Sequence, residues 1–261
     1  MKETMGIHPT AIIDKSANLG ERVTVGPYSL VGPGVVIGDD TVLLGHSVIE
    51  RDTIIGAKCK IYPFASLGAD PQDTKYAGEP TQLIIGDSVT IRESATLHRG
   101  TVEGGGATRV GSGSLIMATC HIAHDCKLEE EVILSSFAVL AGHVHLGHCA
   151  TVSGSSAVHQ FVRIGKHAFV GGMSGIVKDV PPYMIIAGQR DNTLVTPNLI
   201  GLRRRGFSPE AVENITSVHR ALHNHRPLKT VLAEIEENYA DSPEAMYIVE
   251  FYRTSERGVY R

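Results

Sequence analysis

No stretch of the sequence approaches the apolar length that a membrane-spanning helix needs. Met1–Thr10 holds no apolar core of the kind a secretory signal carries, so a cytoplasmic protein is expected. Net positive charge is missing as well. The formal charge is −4 at pH 7, which argues against general affinity for nucleic acid, and any anionic partner must be met by a local basic patch. The four cysteines, Cys59, Cys120, Cys126 and Cys149, form no Cys-x-x-Cys pair, which speaks against a zinc or redox motif. A glycine-rich phosphate loop of the P-loop or dinucleotide-binding type is absent. So is tryptophan.

What remains is ordinary in bulk, with 42 % hydrophobic and 20 % charged residues over a 261-residue chain. That bounds it to one large or two small soluble globular domains. Two counts stand out, 28 glycines and 13 histidines. The glycines suggest many tight turns. The histidines suggest metal binding, acid–base work or simple surface decoration.

An internal repeat explains the glycines. Aliphatic anchors recur every six residues from Ile7 through Leu19, Val25, Ile37, Ile49 and Ile61 to Leu67. They return at Ile85, Ile91 and Leu97, and run from Val110 to Ile176 without a slip. Period six fits neither a helix nor a simple amphipathic strand. Glycine often follows the anchor, as at Gly20, Gly26 and Gly38, and a small or β-branched residue such as Ala11, Val35 or Ser47 sits four places after it. Each hexad reads as a short strand plus a turn, with glycine expected to supply the positive φ of the turn. Three hexads make an 18-residue triangular coil. Parallel strands stack about 4.8 Å apart, so roughly nine coils give a prism about 40 Å long. The fold class is therefore an all-β solenoid, a parallel β-helix of hexapeptide repeats. Cys59, Cys120 and Cys126 fall on the small inward position and read as buried, reduced packing residues, with Cys149 one place earlier in its hexad.

The repeat breaks near 68–82 and again near 102–109, where loops should leave the prism. Residues 1–190 form the β-helix. Residues 183–207 look irregular, and 191–261 read as a small α-helical C-terminal domain of three helices. Its helices are opened by Ser208-Pro209, Pro227 and Ser242-Pro243. It should cap strand edges that the prism would otherwise expose.

The histidines cluster where coil arithmetic makes them neighbours. Adding 18 to Asp125 gives His143, and adding 18 to His124 gives Gly142 and then Gln160, beside His159. His121, His124, Asp125, Gly142, His143, His159 and Gln160 should share one neighbourhood. A neutral imidazole can take a proton from a hydroxyl, an adjacent carboxylate can orient it, and a backbone N–H can receive an oxyanion. That is equipment for acyl transfer to an alcohol. Idle surface histidines and an intersubunit zinc site of carbonic-anhydrase type are the competing readings. Interleaved Asp125 and Gln160 weigh against three converging nitrogens, so no metal is expected here.

At these residues the sequence resembles the UDP-N-acetylglucosamine 3-O-acyltransferases, the first enzymes of lipid A biosynthesis. The resemblance spans almost the whole chain and rests on Lys75–Pro80 (KYAGEP), Leu97–Thr101 (LHRGT), His121–Cys126 (HIAHDC), Ala157–Phe161 (AVHQF) and Gly201–Phe207 (GLRRRGF). It implies a left-handed β-helix and a homotrimer with active sites between subunits. It also implies transfer of an (R)-3-hydroxyacyl group from the phosphopantetheine thioester of acyl-carrier protein, with no cofactor. The base falls on His124, its carboxylate on Asp125 and the oxyanion amide on Gly142. Asp73, Lys75, His98, His121, His143, His159, Gln160, Asn198, Arg204 and Arg205 match substrate-binding positions, and Gly172 with Met173 the place that limits acyl length. Two departures stand out: Ile200 replaces a glutamate frequent in the family, and Gln189–Asn192 does not align where a family histidine holds the nucleotide. Arg203, Arg204, Arg205, Arg253, Arg257 and Arg261 could form the basic surface that an acidic carrier protein needs. Another hexapeptide acyltransferase, using acetyl-CoA or an amino sugar, is the main alternative. A zinc-dependent hydratase and a non-enzymatic assembly prism are more distant ones.

Overall fold

The computed structural model describes residues 6–189, 192–224 and 226–261. The expected boundary at 190/191 lies outside them. The hexads fold as a left-handed parallel β-helix of short strands, from Ile12–Ile13 to Gly175–Ile176. Strands stack in parallel register, for example Leu115–Ile116 on Ile133–Leu134, then on Thr151–Val152 and Phe169–Val170. Three such stacks make three faces around one core. The anchors Ile49, Ile61, Leu67, Leu97, Ile116, Leu134 and Val152 are fully buried, each worth about 1.5–3 kcal/mol of apolar burial. All four cysteines are buried and free. Burial pushes the thiols of Cys120 and Cys126 up to about 11 and about 12, so they stay protonated and inert.

The turns differ from the expectation for glycine. The left-handed residue lies three places after the anchor and is mostly not glycine: Arg22 (φ 55°), Asp40 (59°), Asp125 (61°), His143 (61°), Phe161 (64°) and Met173 (58°). Glycine after the anchor answers a different demand. A Cβ on Gly26 would stand 2.5 Å from Gly45 N, and one on Gly38 2.6 Å from Ala57 N, so only glycine lets successive coils approach. The left-handed corners cost about 1–2 kcal/mol each. They are offset by bonds between coils, such as Asp40 N–H to Glu21 O (2.9 Å) and His143 N–H to His124 O (3.0 Å).

These corners form three columns of outward side chains. One runs from Arg22 and Asp40 to Glu131, Cys149 and His167; a second from Tyr28, His46 and Phe64 to Phe137 and Met173; the third carries Asp125, His143 and Phe161. Both loops leave the prism at the third edge, after Leu67 and after Leu97. They lean on each other through Gln82 N–H to Gly106 O (2.9 Å) and Lys75 Nζ to Glu103 (3.3 Å). Arg99, only 1 % exposed, anchors the first loop from inside by donating to Gly68 O, Asp70 and the Tyr76 hydroxyl.

The described parts of the segment that reads as irregular form strands and a short helix. Met184–Gln189 continues the stack on Phe169–Val170, and Asn192–Pro197 pairs with it antiparallel. Among the described residues four helices follow rather than three: α1 (Leu199–Arg204), α2 (Pro209–Leu222), α3 (Leu228–Asn238) and α4 (Pro243–Arg253). At six residues, α1 is too short to show a period of 3.6. Ser208 and Ser242 cap α2 and α4, each with proline in the first turn. The segment after α4 meets the prism end at buried Asp179, which accepts from Arg163 N–H and the Ser255 hydroxyl. Among the described residues no helix is long and apolar enough to cross a membrane.

Candidate active site

Asp125 stands at a left-handed corner with a fully enclosed carboxylate. One oxygen accepts Thr101 N–H (2.7 Å), and the other accepts the Thr101 hydroxyl (2.7 Å) and His124 Nδ1 (2.8 Å). Its own N–H donates to Thr108 Oγ1. A Cβ on Gly104 would fall inside this carboxylate, so glycine there lets the second loop close over it. Because an ionised carboxylate only accepts, His124 Nδ1 carries the proton and Nε2 is left as the basic nitrogen. That face lies against Gly142, where a Cβ would stand 2.9 Å from Nε2 and 2.7 Å from Cε1. Among the described residues the Gly142 N–H donates to no protein acceptor, while its carbonyl accepts Phe161 N–H (3.1 Å).

His143 sits one coil beyond Asp125, with Nε2 3.6 Å from Oδ2. It stacks on Phe161 at 4.4 Å and meets His124 edge-on at 5.2 Å. Burial lowers its pKa, overriding the pull of Asp125 and the weaker pulls of Asp73 and Glu103 from the two loops. His121 is not in this cluster. It bonds Thr96 Oγ1 (2.8 Å) and packs against His98, whose Nδ1–H donates to Asp70 O (2.6 Å). Burial, then the neighbouring His98, lowers the His121 pKa. His159 and Gln160 are exposed one coil further on, and His159 Nδ1 turns to the Gln160 carbonyl. Asp73 and Lys75 line a small cleft with Tyr76, Glu79, Thr101, Val102 and Glu103.

The remaining expected residues lie on other edges. Asn198 caps α1 and donates to His167 O (3.0 Å), and Arg205 pairs with Glu131, so both belong to the Glu131–His167 column. Arg204 is exposed on the same short helix. Gly172 and Met173 are exposed on the Tyr28–Phe64 edge. The six arginines do not form one open patch. Arg205 and Arg253 pair with Glu131 and Glu236, and Arg257 and Arg261 donate to the Val177 and Leu222 carbonyls. Thr101, Gly104, Thr108, Arg99 and Phe161 were not picked out as site residues. The Leu97–Thr101 and Ala157–Phe161 motifs contain three of them, but their roles depend on loop closure.

A β-helix corner bearing an oriented imidazole, an enclosed carboxylate and an unengaged glycine N–H defines an acyltransferase of the hexapeptide-repeat class. Comparison with known proteins makes the class specific. Residues 179–260 match the family model of UDP N-acetylglucosamine O-acyltransferase domain 2, and residues 1–104 match a model described as the GMPPB C-terminal domain. The chain is similar to the solved UDP-N-acetylglucosamine O-acyltransferase of Moraxella catarrhalis: 41 % identity, 98 % and 99 % of the two chains covered, TM-score 0.94. The Francisella novicida UDP-N-acetylglucosamine acyltransferase gives 38 % identity, 98 % and 94 % coverage and TM-score 0.93. The Arabidopsis one gives 32 %, 98 % and 100 %, and 0.85. The chain belongs to the UDP-N-acetylglucosamine O-acyltransferase family and is an acyltransferase.

Proposed function

We propose that this enzyme transfers an (R)-3-hydroxyacyl group from acyl-carrier protein to the 3-hydroxyl of UDP-N-acetylglucosamine, a step of lipid A biosynthesis, in the cytoplasm and without a cofactor. The observation that carries this reading is the His124 ring, fixed by Asp125 at 2.8 Å and laid against Gly142. His124 Nε2 takes the proton of the sugar hydroxyl as its oxygen attacks the thioester carbonyl. The oxyanion of the tetrahedral intermediate receives the Gly142 N–H. Collapse breaks the carbon–sulfur bond, and the departing pantetheine thiolate takes the proton back from the imidazolium. Asp125 stabilises that imidazolium through its bond to Nδ1. Its oxygens are already engaged by Thr101 and His124, which favours an orienting role over metal ligation.

Asp73 and Lys75 reach the sugar and pantetheine from the first loop, with His98, His121, His143 and His159 lining the same side. Gln160, Asn198, Arg204 and Arg205 serve the nucleotide, and Gly172 with Met173 limits the acyl chain. These residues are spread over three different prism edges, so one chain cannot present them together. A homotrimer in which the edge of one subunit faces the next brings them to one cleft. The test is mass spectrometry of the product formed from UDP-N-acetylglucosamine and a panel of acyl-carrier-protein thioesters, with solution mass measured in parallel. A singly O-acylated nucleotide sugar made by a trimer is expected. Transfer only from acetyl-CoA, acylation only of a 3-amino sugar, or an active monomer would refute the reading concerned.

A further inference from the structure

The Glu131–His167 edge holds a second cluster that the acyl-transfer reading does not use. Cys149 and His167 are stacked left-handed corners, one coil apart. His148 Nε2 is 3.2 Å from Cys149 Sγ, and Glu131 Oε2 is 3.7 Å from the same sulfur. One donor atom from each of His148, Cys149 and His167 falls within 4.8 Å of the others. In a tetrahedral zinc site, with Zn–S about 2.3 Å and Zn–N about 2.0–2.1 Å, donors stand about 3.3–3.6 Å apart, so small side-chain movements suffice. A second, independent observation concerns His167: its Nδ1 is buried and has no hydrogen-bond partner. Buried polar atoms are seldom left unmatched.

We propose that His148, Cys149 and His167 form a binding site for a thiophilic divalent transition metal, Zn²⁺ being the representative ion, distinct from the His124–Asp125 cluster. One thiolate and two neutral imidazoles suit zinc, and Glu131 or a water completes the tetrahedron. A cleft of about 340 Å³ lined by Gly111, Glu129, Glu130 and His148 opens beside it. The charges facing the cluster are mixed. Arg205 and Lys166 oppose a cation, whereas Glu131 and Glu129, the latter bonded to His148 N–H (2.8 Å), favour it. His167 is already neutral, its pKa pushed down to about 4 chiefly by burial. The Cys149 thiol, raised to about 11 by burial, loses its proton to solvent as the sulfur–metal bond forms, releasing about one proton per metal at neutral pH.

Metal-free protein is titrated with Zn²⁺ against a chromophoric chelator, and with Co²⁺ while the near-ultraviolet spectrum is recorded. One metal per chain is expected, with a thiolate-to-cobalt charge-transfer band. Cys149→Ser should abolish the band, and His167→Ala should weaken Zn²⁺ at least tenfold. His124→Ala should leave both unchanged. If wild-type protein shows no charge-transfer band, the proposal fails whatever the variants do. Binding lost in His124→Ala but kept in Cys149→Ser would place the metal at the other cluster and overturn it equally.

Discussion

The Asp125 edge and the Glu131–Cys149–His167 edge are built from the same hexad, with the same left-handed corner and the same 18-residue stacking. Yet one holds an enclosed carboxylate that accepts three hydrogen bonds, and the other a half-open set of thiol, imidazoles and an ion pair. The difference lies outside the repeat. Both inserted loops leave at the Asp125 edge, and the second folds Thr101 and Gly104 over the carboxylate. Among the described residues the other edge has no insertion, so its side chains meet one another and the C-terminal helical segment, as Glu131 does at Arg205 and His167 at Phe207, with no loop folded over them. A regular solenoid supplies positions, and an insertion at one edge turns a position into an oriented group.

Removing the base should break this contrast most sharply. His124→Ala is expected to stay folded and lose about 10²–10⁴ in kcat, the usual worth of a general base. Turnover within a factor of three of wild type would exclude His124 from that role. Gly104→Ala comes next. It puts a methyl into the Asp125 carboxylate, and the displaced loop and carboxylate should cost about 10²-fold in kcat, as misplacements near 1 Å do. Unchanged kinetics would show that loop closure does not orient the pair. Thr101→Val keeps the backbone bond and removes the hydroxyl one, so a loss of about tenfold, or about 1.4 kcal/mol, is expected.

Gly172→Met probes the Tyr28–Met173 edge rather than either of these. A Cβ there would meet only the Gly154 carbonyl, at 3.4 Å, so the fold should tolerate it. Preference should move to donors shorter by several carbons, with each lost methylene worth about 0.8 kcal/mol. Coincident length profiles of kcat/KM would show that the chain does not end there. The smallest effect belongs to the Glu131–His167 edge. His167 stays neutral in the fold down to about pH 4 but protonates near 6.5 when unfolded. The unfolded state therefore binds more protons between those values, and stability should fall as pH drops from about 6.5 to about 4. Thermal midpoints across that range should flatten in His167→Gln, and an equal slope in the variant would remove His167 as the cause.

Anchor spacing alone made the prism, its inward cysteines and the 18-residue stacking of His143 on Asp125 legible, because a period repeated so many times leaves one way to bury its aliphatic face. It also exposed the loops as interruptions, though not that both emerge at the same edge. The paired strands Met184–Gln189 and Asn192–Pro197 and the six-residue α1 escape it because each is shorter than the pattern that would reveal it. The positive φ expected of the glycines after the anchors belongs to the residue two places later, and those glycines answer contact between coils instead, which turn preference does not encode.

The sequence by itself determined the architecture, the order of the corners and the family, all of which follow from local spacing and short motifs. Only the tertiary structure decided that Thr101 and Gly104 close on Asp125, that Arg99 holds the first loop from within, that His121 partners His98 rather than His124, and that His148, Cys149 and His167 converge. Each of these is a contact between coils or between a loop and a coil. Its geometry depends on where an inserted segment folds back, and no periodicity encodes that.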